Sequence, residues 1–211
     1  MKYKKRITAL IAVCLSACTM ALSGCSQESV YVPVTQDTVE LTKDGNLIGY
    51  LVEDFDKDYY DINELDEMVR SEMEAYNKKN AAMSEKEGRV PIIVDKVSLA
   101  EDGSAKAVVA LNFANAAVYE DYMDKRIFYG TVAEAVTSGY QLDGKLSKVK
   151  DGTKFGTEEI VKNGENPILI VEDTVSIRTA KKIVYLSTNA SLTQEGFVDG
   201  TSEEFKYIIT K

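Results

Sequence analysis

The chain has no histidine and no tryptophan, and it carries only three cysteines and three prolines in 211 residues. Without imidazole, Ser-His-Asp and Cys-His catalysis and the usual zinc ligand sets are unavailable. Cys14 and Cys18 lie in an uncharged amino-terminal run, Ile7 to Leu22, so Cys25 is the one thiol beyond it. One thiol makes neither a disulfide within the body of the protein nor a thiolate metal cluster. Positive charge is scarce too. Lys2, Lys4, Lys5 and Arg6 precede the apolar run; from residue 25 onward 21 basic residues face 34 acidic ones, a balance of −13. Such a surface repels phosphate backbones and anionic headgroups, which argues against nucleic acid and against peripheral docking on acidic membranes.

The amino-terminal stretch that is present has the parts of a secretory leader: a cationic start, an apolar middle, and small residues before a cut. The apolar part of that stretch, Ile7 to Leu22, is about sixteen residues, short of the ~20 that a spanning helix needs. It ends in Leu22-Ser23-Gly24-Cys25. Those four residues resemble the lipobox of bacterial lipoprotein signal peptides, in which an aliphatic residue, a small residue and Gly or Ala precede an invariant Cys. The resemblance covers residues 1 to 25 only. It implies a diacylglycerol on the Cys25 sulfur, cleavage just before it, and an acylated protein on the extracytoplasmic face of the cell membrane. The bilayer is then a partner through acylated Cys25, and two or three acyl chains hold stably where one is marginal.

The expected organisation is a signal peptide over 1–24, a lipidated tether over 25–36 containing Pro33, and a single α+β domain over 37–211. Asp-Gly turns organise the first half. Lys43-Asp44-Gly45-Asn46 joins strands at Thr38 to Thr42 and Leu47 to Val52, and Glu101-Asp102-Gly103-Ser104 joins Val90 to Leu99 with Ala105 to Phe113. Between them Asp61 and Glu64 form a capping-box pattern ahead of Ile62, Leu65, Met68, Val69, Met73 and Tyr76, apolar residues at helical spacing. Asn115 caps a short helix, Arg126 to Tyr129 reads as a strand, and Thr131 with Glu134 opens a helix that Gly139 closes. Strands follow from Pro167 to Val171, Val175 to Arg178, Ile183 to Ser187 and Glu204 to Thr210, with a turn at Asp199-Gly200. Tight turns between strands imply a mainly antiparallel sheet with two or three helices packed on one face.

Candidate sites are few. Asp54, Asp56 and Asp58 have the alternate spacing that opens a calcium loop, but Tyr59 and Leu65 stand where an EF-hand wants Gly and Glu. The stretch reads as a solvated acidic loop favouring the following helix N-terminus. Ser147-Lys148-Val149-Lys150 matches the S-x-x-K pattern of penicillin-binding enzymes, yet it lies between Gly144 and Gly152 without a following Lys-Thr-Gly. It reads as chance. No catalytic, cofactor or metal residue is therefore assigned, and no cofactor is expected. The sequence-level expectation is a non-catalytic module that binds an envelope protein or glycan. The alternative is a cell-wall hydrolase working through paired carboxylates, which 34 acidic residues neither support nor exclude. Tyrosines, eleven of them beyond the leader, are the aromatic supply for any sugar platform, but Tyr60, Tyr119 and Tyr122 have helical or staple roles, so core or rim packing is the expected use.

Overall fold

A computed structural model describes residues 33–199 and 204–211. Cys25 and the Asp199-Gly200 turn's glycine lie outside those residues. The fold is α+β, with two mostly antiparallel sheets and four α-helices among the described residues. The strands are β1 Thr38–Leu41, β2 Leu47–Asp54, β3 Ile92–Leu99, β4 Lys106–Phe113, β5 Ile127–Thr131, β6 Leu146–Lys148, β7 Pro167–Glu172, β8 Ser176–Thr179, β9 Ile183–Ser187, β10 Ser191–Leu192, β11 Phe197–Asp199 and β12 Phe205–Thr210. The helices are α1 Ile62–Lys79, α2 Ala116–Met123, α3 Val132–Thr137 and α4 Thr157–Lys162.

The first sheet runs β10-β11-β8-β1-β2-β4-β3 and the second β5-β7-β12-β9-β6. Both expected Asp-Gly hairpins form, because Gly45 and Gly103 take φ of +86° and +77°, which side chains resist. β4 is interior, as its apolar run requires, and β1 pairs β8 in parallel. Ordered packing begins before β1. Val34 is buried against Tyr50, Val108 and Ala110 on the outer face of the first sheet.

Helix α1 buries Leu65, Val69, Met73 and Tyr76, a stripe worth on the order of 1.5–3 kcal/mol for each fully buried side chain. Asp61 caps it through the N–H of Asn63 at 2.7 Å, one residue short of the expected box partner Glu64. The helix also closes an edge. Asn77 accepts from Ile92 N at 2.8 Å and donates to Ile92 O at 2.7 Å, taking the place of a neighbouring strand beside β3.

One core lies between the sheets, where Val39, Leu111 and Ile177 of the first meet Leu169, Val171 and Ile208 of the second, together with α1 and α2. A second lies on the other face of the second sheet, where Ile168, Ile170 and Ile209 pack under Val132 and Ala135 of α3. Helices thus cover both faces of that sheet. Helix α4 and the short strands β10 and β11 had no signal in the sequence reading: α4 buries no residue and β10 is exposed.

Candidate functional site: an aromatic cleft at the end of the second sheet

The site grows from strand alternation and one helix terminus. On β12 the side chains of Phe205 and Tyr207 point to the outer face; Phe205 lies opposite Glu172 and Tyr207 opposite Ile170. Ile170 in turn faces Phe128 on β5, so Phe128, Ile170 and Tyr207 form one row across three strands. The fourth ring is delivered by α3. A full capping box opens that helix, with Thr131 accepting from Glu134 N and Glu134 accepting from Thr131 N. A Schellman motif closes it: Gly139 N donates to Val136 O and Tyr140 N to Ala135 O, both at 3.0 Å, with Gly139 at φ +90°. Tyr140 therefore turns back over the sheet. Its ring centroid stands 5.2 Å from Phe128 and 5.6 Å, edge-on, from Phe205.

These rings border two adjoining cavities that share Phe205 and Tyr207. The larger, about 450 Å³, adds Glu120, Arg126, Phe128, Tyr140 and Gln141. The smaller, about 290 Å³, adds Lys145, Glu172, Ser187, Asn189 and Glu204. Arg126 stacks 4.7 Å above Phe205 and is held by Glu172 at 3.4 Å, which fixes its guanidinium at the rim while leaving it 63% exposed. Glu120 accepts from Ile127 N at 3.0 Å. Burial raises the phenol pKa of Tyr140 and of Tyr207, so both remain neutral hydroxyls at physiological pH.

The residues singled out in the sequence fall elsewhere. Asp54 ends β2, Asp56 pairs with Lys57 at 3.0 Å, and Asp61 is occupied as the cap of α1. Among the described residues no three His, Cys, Asp or Glu side chains are grouped to hold a metal ion. Ser147 lies on β6, where Lys150 is not one helical turn away, and the helical geometry of the S-x-x-K pattern is absent. Of the tyrosines beyond the leader, Tyr140 and Tyr207 enter the cleft. Phe128, Phe205 and Tyr207 were hidden as ordinary strand residues.

Several carboxylates have pKa values that clearly move, and these move down. Asp56, Asp102, Glu134, Asp151 and Glu159 are held below the ordinary carboxylate range, chiefly by hydrogen bonds from Lys57, Ser104, Thr131, Thr153 and Tyr185 respectively. A glycosidase's general acid needs the opposite shift. No described helix is long and apolar enough to cross a membrane. No protein-family model, curated protein or solved structure matches the chain.

Proposed function

We propose that the protein is a lipid-anchored, non-catalytic binding module of the bacterial cell envelope that holds a neutral or amino-sugar glycan in the aromatic cleft. The observation that carries this reading is the set of four rings, Phe128, Tyr140, Phe205 and Tyr207, bordering two contiguous cavities rimmed by an amide, a guanidinium and carboxylates. Sugars present apolar C–H faces and a ring of hydroxyls, and such a lining offers both a stacking surface and planar hydrogen-bonding groups. Glu120, Glu172 and Glu204 outnumber Arg126 and Lys145 at the rim, and the balance beyond the leader is −13, so polyanionic glycans are disfavoured. The lipobox resemblance at Leu22-Ser23-Gly24-Cys25 supplies the location.

The test is co-sedimentation of the full chain with purified insoluble cell-wall glycan, followed by titration with soluble N-acetylhexosamine oligomers. Retention that falls at least about ten-fold in Phe205→Ala, with no new reducing ends released, supports a binder. Equal retention of wild type and variant would remove the cleft from the account, and released reducing ends would favour the hydrolase. Membrane fractionation of Cys25→Ser tests the anchor: the variant is expected in the soluble fraction.

A further inference from the structure

A second cavity, about 450 Å³, lies away from the aromatic cleft, where the two sheets meet. Its walls come from five places: the approach to β1 at Thr35 to Asp37, the inner face of β2 at Leu51, the start of β4 at Lys106, the exit of α2 at Met123 and Lys125, and the β7–β8 connection at Asp173 to Val175. Its lining carries charge of both signs. Lys106 Nζ donates to Thr35 O at 3.2 Å, and Lys125 Nζ donates to Asp173 Oδ1 at 3.2 Å. Asp37 accepts from Val52 N at 3.0 Å and Asp173 from Thr174 N at 2.6 Å, so each carboxylate is fixed in place by a backbone bond.

Behind the charges stands an unmet donor. Tyr119 is fully buried, and its Oη has no hydrogen-bond partner. Its ring lies over Gly49, where an added Cβ would come within 3.6 Å of it, and Leu51 follows on the same face of β2. Met123 is one helical turn further along α2. Leu51 and Met123 both line the cavity, and the charges of Asp173 and Asp37 both act on the phenol. Tyr119 thus packs beside two residues of the cavity's wall, although it does not itself line the cavity. The connection that carries Asp173 is itself anchored from inside, because the buried Lys206 of β12 donates its Nζ to the Asp173 carbonyl.

We propose that this junction cavity is a second binding site for a small zwitterion, a free amino acid or a dipeptide, with its ammonium toward Asp37 and Asp173 and its carboxylate toward Lys106 and Lys125. A lining with two cations and two anions, of which Lys125 and Asp173 stand 3.2 Å apart, matches a ligand that carries both signs and offers a pure anion or cation only half a site. The volume is too small for a folded partner and suits a dipeptide. The site shares no lining residue with the aromatic cleft, so it stands or falls independently of the glycan reading.

Isothermal titration of the full chain in detergent, against the twenty amino acids and alanyl-alanine, tests it. At least one free zwitterion is expected to bind, and its N-acetylated and C-amidated forms to bind at least about ten-fold more weakly. Lys125→Met, at a half-exposed position, is expected to cost about ten-fold. Phe205→Ala is expected to leave this affinity unchanged. Absence of heat from every zwitterion, or capped and free forms binding equally, overturns the proposal.

Discussion

The two faces of the second sheet share the central strands β7, β12 and β9 but treat polar atoms in opposite ways. The inner face carries Leu169, Val171, Leu186 and Ile208, and among them a fully buried Lys206 whose ammonium reaches a backbone carbonyl at the sheet's end. The outer face is closed over Ile168 and Ile209 by α3 but open where Phe205 and Tyr207 project beyond it. Strand composition does not separate these outcomes; cover does. Helix α3 is six residues long and shares the cover of that face with Leu142 and Phe155, and the cleft opens where neither reaches, at Phe205 and Tyr207. The inner face is covered by the whole first sheet, and its cavity lies where the two sheets part.

The sharpest way to break that contrast is a pair of truncations on one strand. Ile208→Ala, in the closed core, is expected to cost about 2–5 kcal/mol in urea unfolding, while Phe205→Ala, three residues away on the opposite face, costs about 1–2 kcal/mol and chiefly removes binding. Comparable losses from both would mean that the outer face is core and not a cleft.

A pH series sharpens the inner half. Burial lowers the pKa of Lys206 below its ordinary 10.5, with the charges of Asp173 and Asp199 opposing that shift. Between the lowered folded value and 10.5 the unfolded chain binds more protons, so this group's contribution to stability rises with pH across that window. Tyr119, Tyr140 and Tyr207, whose folded pKa values are raised, act in the other direction above pH 10, where the unfolded chain ionises first. The difference between wild type and Lys206→Met cancels the tyrosines. That difference is expected to move in favour of wild type as pH climbs toward 10.5, and a flat difference from pH 7 to 10.5 would place Lys206 in contact with solvent.

The smallest change tests how Tyr140 is delivered. At Gly139 an added Cβ meets nothing within 4 Å, so Gly139→Ala is penalised by the φ of +90° alone, about 1–2 kcal/mol. Glycan affinity is expected to drop several-fold although residue 139 contributes no side chain to the cleft. Unchanged affinity would show that Tyr140 reaches its place without the Schellman turn.

Local chemistry made much of this fold readable in advance. The Asp44-Gly45 and Asp102-Gly103 turns, the Asn115 cap, the Thr131 and Glu134 box and the terminal Gly139 all act within a few residues, and each appears where its pattern stands. Long-range choices were not readable. Nothing local tells β1 to pair in parallel with β8, 138 residues away at Glu40 and Arg178, or divides the strands between two sheets. The cleft was hidden for the same reason, since Phe128 and Phe205 meet only through β7 and α3. One signal was present and passed over: a lysine inside Phe205-Lys206-Tyr207-Ile208-Ile209 breaks an apolar central strand, and period two places it beside Ile208 on the buried face.

Hydrogen–deuterium exchange of the full chain with and without a soluble N-acetylhexosamine oligomer reads both faces at once. The account predicts slowed exchange at 126–129, 139–141 and 205–207, with no change at 35–37, 51–52 and 173–175. Protection confined to the sheet junction, or spread equally over both regions, would contradict the assignment of the open outer face as the glycan site.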